Sequence, residues 1–258
     1  MADTVEFEAG GAVSMLRARA TALGAERSEF RVETGHWLRD PEIGRVASAL
    51  AVPLDDATGY IVANAAPTGR WPVSLSMKID VLRPIPLDGT TIRVAGELAA
   101  LTDVNALTHG VAYDDAGQVV ATLTHRSHLI DATGPQDRSG FDPVPPDGRV
   151  TVREALEIDT IAPGELIMAP TPWSANIMGD VHGGVLVVGA ELAAHSALGP
   201  GYTTVSIDAT YLRPCDATAE TGFHATVVHT GRTTAMARVE ARLLSGRPCV
   251  VATAILRR

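Results

Sequence analysis

Apolar and polar positions along the chain follow two periods. From Val185 to Ala194 the sequence reads VLVVGAELAA, apolar on every face except for one acid, Glu191. That pattern predicts a helix buried all round rather than a half-exposed amphipathic one. Gly199-Pro200-Gly201 marks its end. At its start, Gly183 and Gly184 leave room for a ligand to approach the free backbone amides and the positive end of the dipole. Elsewhere the period is two. Ser74–Pro84 and Thr204–Pro214 both alternate as half-buried strands do.

Those two strands can be laid on each other. SLSMKIDVLRP and TVSIDATYLRP both close on Leu-Arg-Pro. Near the end of each half, Val119-Val120-Ala121-Thr122 lies over Val250-Val251-Ala252-Thr253, and upstream Trp37 lies over Trp173. Ile43-Gly44-Arg45-Val46 matches Met178-Gly179-Asp180-Val181. Val13–Leu23 and Thr151–Ile158 read as short helices, and Glu29–Glu33 and Glu165–Ala169 as short strands. The chain therefore reads as a diverged duplication: residues 1–130, a linker at 131–149 rich in Pro, Gly and Asp, and residues 150–258. Each half is expected to run helix, strand, loop, long central helix and about four antiparallel strands.

Composition narrows the class. The 258 residues are 46% hydrophobic and 20% charged, enough for a real core. A net charge of −9 argues against nucleic acid or an anionic membrane as the main partner. Cys215 and Cys249 form no zinc spacing and are expected to be reduced core residues. No export signal is visible, and no apolar run reaches the roughly 18 residues of a membrane span, so a cytoplasmic protein is expected. There is no Gly-x-Ser-x-Gly elbow, P-loop or Rossmann glycine pattern. His125 and His128, three apart on a predicted strand, face opposite sides and make a poor metal pair, so no metal site is expected.

One geometric constraint bears on chemistry. His182 and Glu191 are nine positions apart on one helix, about 13 Å along its axis and half a turn out of phase. They cannot both touch one reacting carbonyl. If both act, each serves a different site, completed by the other half of the molecule.

The string Asn176-x5-His182-Gly183-Gly184-x6-Glu191, followed by the strand TTVSIDATYLRP, resembles the hotdog-fold acyl-CoA thioesterases of the phenylacetate-degradation and 4-hydroxybenzoyl-CoA type. The resemblance implies an α+β fold, a double hotdog with two curved antiparallel sheets each wrapped around a central helix. It implies a thioesterase acting on acyl-CoA or an acyl-carrier thioester, without a cofactor beyond the coenzyme A of the substrate, and an assembly of at least two chains. It also implies sites built across the interface of two hotdog units, with the Asn and helix-start amide from one and the acid from the other.

Crossing the halves gives two candidate sites. The first joins Asp55 and Ser74 to Asn176, His182 and the Gly183 amide, with Gly184 beside it. The second joins Glu191 and Thr204 to Asp40 and the Ala47–Ser48 turn, where the His-Gly-Gly is replaced by Val46-Ala47-Ser48. The first is expected to be the catalytic one. Pro53 unsettles the helix register there, so Asp56 is the alternative acid. The acid would act as a general base or as a nucleophile. Arg83, Arg213 and Arg232 are candidates for the CoA phosphates. The rival reading is a non-catalytic binder of acyl thioesters or apolar ligands.

Overall fold

The computed structural model describes residue 5 and residues 7–132 and 144–258. Residues 133–143, most of the expected linker, lie outside the described residues. The first half contains α1 (Gly11–Met15), β1 (Ala18–Ala22), β2 (Arg27–Glu33), β3 (Arg39–Asp40), β4 (Gly44–Arg45), α2 (Ala51–Ala65), β5 (Arg70–Val81), β6 (Thr91–Leu101), β7 (Asn105–Tyr113) and β8 (Val119–Asp131). The second contains α3 (Val152–Ala155), β9 (Ile158–Ala162), β10 (Glu165–Met168), α4 (Gly183–Leu198), β11 (Thr203–Tyr211), β12 (Thr221–Thr230), β13 (Thr234–Leu243) and β14 (Pro248–Arg257).

In place of the two sheets expected from the sequence, twelve strands form one antiparallel sheet in the order β1-β2-β6-β7-β8-β5-β11-β14-β13-β12-β10-β9. The order reads as the same six-strand arrangement from either edge, joined where β5 pairs with β11. Pairing at this seam follows the sequence overlay. Ile79 faces Ile207, its overlay image Ala209 faces Met77, and Lys78 faces its own image Asp208. A pseudo-twofold axis therefore passes through the Lys78–Asp208 pair.

Beyond the seam the overlay needs one correction. Val81 pairs with Ala121, and Tyr211, the overlay counterpart of Val81, pairs with Val250. Ala121, rather than Val119, is thus the counterpart of Val250. A slip of two residues keeps every side chain on its face, so alternation could not reveal it. The short helices are also shorter than expected. Each stops at a residue with positive φ, Arg17 (54°) in one half and Glu157 (49°) in the other, and the chain then turns into an edge strand.

Both long helices lie on the sheet, α2 over β2 and β5–β8 and α4 over β10–β14. Leu54, Ile61, Val185, Val188 and Leu192 are among their fully buried side chains. The helices also touch each other, and Gly184 makes this approach possible. A Cβ there would stand 2.5 Å from the Val52 amide nitrogen. Pro53 does not break α2. It falls in the first turn, just after the 3-10 turn Ala47–Leu50, where an amide donor is least needed. No helix among the described residues is long and apolar enough to cross a membrane.

Candidate active site

A cavity of about 490 Å³ opens between the halves where the start of α4 meets the first turns of α2. From the first half, Asp55, Asp56, Ser74 and His125 line it. The second half contributes Asn176, His182, Gly183 and Tyr211. Asp55 and Asp56 are consecutive on α2, and both carboxylates reach His182 at the α4 N-terminus.

His182 is the N-cap of α4, and its Nδ1 accepts from the Gly184 amide at 3.0 Å. The same Nδ1 lies 3.5 Å from Asp55 Oδ2, and Nε2 lies 3.3 Å from Asp56 Oδ1. The imidazole is thus held between two carboxylates of the other half. Burial acts to lower the His182 pKa, but Asp56 and then Asp55 outweigh it and hold the pKa above the ordinary histidine value. Burial raises the Asp56 pKa, against the pull of His182. Asp56 Oδ2 is buried with no hydrogen-bond partner among the described residues.

Gly183 sits against the first acid. A Cβ on it would come within 2.9 Å of Asp55 Oδ2. As the first residue of α4, Gly183 has an amide with no intrahelical acceptor. The Tyr211 hydroxyl donates to its carbonyl at 2.9 Å. Gly184, in contrast, is packed on α2 and its amide is taken by His182, so it is a packing and capping residue rather than a ligand contact.

Behind Asp55 lies a polar chain that the sequence reading missed. His125 Nδ1 is 2.8 Å from Thr58 Oγ1, and Nε2 is 3.0 Å from Ser74 Oγ and 3.4 Å from Ser127 Oγ. Ser74 Oγ is in turn 3.5 Å from Asp55 Oδ1, and His125 Nδ1 is 3.7 Å from the same oxygen. The Thr58 hydroxyl donates to the Leu54 carbonyl one turn back at 2.7 Å, so it accepts from His125 Nδ1–H. That leaves Nε2 as an acceptor for the Ser74 or Ser127 hydroxyl, and the Ser74 hydroxyl also donates toward Asp55 Oδ1. Burial lowers the His125 pKa, against the raising effect of Asp55, and so favours the neutral ring. The available signal was alternation: Ala121, Leu123 and Leu129 share the buried face of β8, and His125 and Ser127 are the polar residues on it.

The remaining expected residues fall in three places. Asn176 lines the cavity, but its Oδ1 closes a turn by accepting from the Met178 and Asp180 amides at 2.8 and 3.1 Å. Asp40 makes the matching turn in the first half, with Oδ1 accepting from Glu42 and Ile43 and Oδ2 held by Arg153 at 2.5 Å. It therefore does not join Glu191. Arg213 lines the cavity, and its guanidinium donates to the Pro248 carbonyl. Arg83 and Arg232 are exposed and away from the cavity. Arg83 lies beyond the far end of β5, nine residues or about 30 Å of strand from Ser74. Arg232 sits in the β12–β13 turn.

Glu191 and Thr204 form a separate cluster. Glu191 is 1% exposed, and its Oε2 accepts from the Ser48 amide at 2.9 Å and the Ser48 hydroxyl at 2.6 Å. Thr204 Oγ1 donates to Oε1, and His195 Nε2 lies 2.9 Å from Thr204 Oγ1. By the pseudo-twofold, Ser48 stands at the place of Gly184, and there its amide and hydroxyl both hold the acid. The ladder puts Ala254 at the place of His125. Burial raises the Glu191 pKa despite these hydrogen bonds. Among the described residues no group of three His, Cys, Asp or Glu converges to hold a metal ion.

The family model of the acyl-CoA thioesterase N-terminal domain matches residues 169–257, the part that carries His182, Gly183 and Gly184. Residues 169–257 are thus similar to an acyl-CoA thioesterase domain. Solved structures extend the likeness to nearly the whole chain. A TesB protein of Mycobacterium avium subsp. paratuberculosis is 12% identical, over 95% of this chain and 97% of that one, with a TM-score of 0.67. The acyl-CoA thioesterase II TesB2 of Mycobacterium marinum is 12% identical over 95% and 96%, with a TM-score of 0.65. A 12:0-ACP thioesterase from Umbellularia californica is 15% identical over 89% and 94%, with a TM-score of 0.60. At these identities the likeness is one of fold. Among curated proteins, no sequence matches the chain at a significant level. The matched segment includes Gly183 at the start of α4, and the fold likeness extends to the half that carries Asp55.

Proposed function

We propose that the protein is a double-hotdog acyl-CoA thioesterase that hydrolyses the thioester of a hydrophobic acyl-CoA in the cavity between its halves. One observation carries this reading: the Asp55 carboxylate of the first half lies against Gly183, the first residue of α4 in the thioesterase-like segment. A thioester carbonyl placed at the Gly183 amide would have its developing negative charge stabilised by the helix start and by the His182 imidazolium. Asp55, beside that carbonyl, would take a proton from the attacking water. Ser74, whose hydroxyl reaches both Asp55 Oδ1 and His125 Nε2, would hold the carboxylate and orient the water. The thiolate then leaves with the proton from Asp55, and no cofactor beyond the coenzyme A of the substrate is required. A pure binder gains nothing from burying Asp55, Asp56 and His182 in the wall of a cavity for an apolar tail.

Arg213 is the basic residue this reading assigns to the coenzyme A or acyl-carrier end of the substrate. A cytosolic location and self-association belong to the same proposal. Ile161, Val228 and Leu244 present exposed apolar side chains on the second half, for which a further copy is the partner proposed. Elution as a monomer at micromolar concentration would remove that part.

The test is thiol release from a panel of acyl-CoAs and acyl-carrier thioesters by wild type and Asp55→Asn. Loss of a general base should lower kcat by roughly 10²–10⁴. Turnover surviving in Asp55→Asn would take the chemistry away from this site. A wild type that releases no thiol from any thioester would leave the binder reading in its place.

A further inference from the structure

The cavity continues past the reacting atoms along α2. Asp55, Gly59 and Ala63 all line it, and their spacing of four residues puts them on one face of the helix. From Asp55 to Ala63 the helix rises about 12 Å. Trp71, Val73 and Ile130 line the same cavity from β5 and β8.

Gly59 is the informative residue. Other interior glycines are there because a side chain would collide: a Cβ would stand 2.2 Å from the Phe223 ring at Gly189, and 2.7 Å from the Ala57 carbonyl oxygen at Gly96. At Gly59 a Cβ would meet nothing within 4 Å. Nor does its backbone demand glycine, since it is not among the residues with positive φ. Glycine is, after proline, the least favourable residue inside a helix. Gly59 is itself half-buried, and neither packing nor conformation accounts for a glycine there. What the missing side chain leaves is open space in the cavity wall, one turn from Asp55.

We infer that Gly59 sets the acyl chain length the enzyme accepts. The acyl tail runs from the carbonyl at Asp55 and Gly183 along α2, passes over Gly59 and ends against Ala63 and Trp71. A tail that fills this path is of medium length, and a larger residue at 59 truncates the path after its first turn. This inference rests on the thioesterase reading for the nature of the ligand, while the open path itself does not.

The experiment compares wild type, Gly59→Ala and Gly59→Leu on butanoyl-CoA and decanoyl-CoA. Each methylene that fails to bury forfeits roughly fourfold in kcat/KM. Exclusion of about three should lower the decanoyl-to-butanoyl ratio of kcat/KM roughly 50-fold in Gly59→Leu, with Gly59→Ala between it and wild type. Both variants should melt at or above the wild-type temperature, by about 2–4 °C for the alanine, because the new side chain enters open space. An unchanged ratio, or a fall in Tm from collision, would overturn the inference. Binding of the non-hydrolysable thioether analogues of the two CoA esters, measured by calorimetry, separates the two readings. If wild type hydrolyses nothing yet binds the decanoyl analogue at least tenfold more tightly, and Gly59→Leu erases that preference, the path stands and the hydrolysis reading fails. Equal affinities of wild type for both analogues would remove the path.

Discussion

Gly183 of α4 and Asp55 of α2 meet so closely that a single added carbon on the glycine would stand 2.9 Å from the carboxylate oxygen. The contact joins the two halves, and it sits where the helix dipole and a carboxylate can act on the same carbonyl. Gly183→Ala should therefore displace Asp55, since the end of the Met77 side chain can move aside and the Tyr211 hydroxyl, at 3.3 Å, need give only slightly. A displacement of this order typically lowers kcat by about 10²-fold, with little loss of Tm because alanine favours the helix. Gly184→Ala should do the opposite. Its Cβ would press on the Val52 backbone, and the expected loss is about 1–3 kcal/mol of stability. Paired melting curves and initial rates on the two variants check this. Similar behaviour of the two would mean the Gly183 contact has no chemical role.

His182 cannot do everything its position suggests at one pH. Capping Gly184 requires a bare Nδ1, and pairing with Asp55 requires a protonated one. Asp56 and Asp55 are the charged groups that face it, and they outweigh burial to raise its pKa above 6.5. With the folded pKa raised, the ion pairing is complete below 6.5 and is lost as pH rises through the folded value. Both stability and kcat/KM should then fall along the alkaline limb. His182→Asn keeps a cap acceptor but no charge, so its alkaline limb should be flat and its rate lower throughout. Rate and chemical-denaturation profiles from about pH 6 to 9 test this; an alkaline limb that persists in His182→Asn would place the titration elsewhere.

The second acid has a different expected behaviour. Both Glu191 oxygens are occupied by Ser48 and Thr204, and burial raises its pKa. In the variant Glu191→Gln the side-chain amide can keep its carbonyl on Ser48 while Thr204 turns its proton to His195. This variant should therefore hold stability within about 1 kcal/mol and retain turnover. Glu191→Ala strips the Ser48 amide and hydroxyl of their acceptor, leaves a cavity and should cost about 3 kcal/mol or more. Urea titrations measure both. Loss of turnover in a stable Glu191→Gln would move the chemistry to this cluster.

Legibility differed between levels of the molecule. The seam of the sheet was readable because both copies kept Leu-Arg-Pro and the alternation before it, and the pairing of Lys78 with Asp208 follows that overlay. The β8 register was not readable, since a two-residue slip leaves the face pattern intact. The acid and the helix start were visible as local motifs, whereas the means by which they meet was not. That depends on the seam and on the close crossing at Gly184, both properties of the assembled halves. His125 was visible only as one polar residue on a buried face, and its partners Thr58 and Ser74 lie 67 and 51 residues away. Asn176 and Asp40 show the reverse case. As sequence they looked like a site residue and its degenerate copy, and as structure both close the same turn.

His195 provides a test in acid that is independent of turnover. It is 5% exposed, with Nε2 on Thr204, and burial lowers its pKa to about 4, against smaller raising effects of Asp40 and Glu42. A histidine titrating near 6.5 when unfolded and near 4 when folded binds fewer protons in the native state. Stability is therefore complete above 6.5, falls as pH drops from 6.5, and has lost its full increment once pH is below about 4. The increment is about 3 kcal/mol. His195→Gln can hydrogen-bond to Thr204 without titrating, so the variant should lack this part of the acid loss. Glu191, whose pKa is raised by burial, contributes with the opposite sign to both proteins, so it drops out of their difference as long as its own surroundings are kept. Guanidinium unfolding at about pH 7, 5 and 4 should show the wild type losing about 3 kcal/mol more than His195→Gln. Parallel pH profiles would mean that His195 is protonated in the folded state, with Thr204 donating wholly to Glu191.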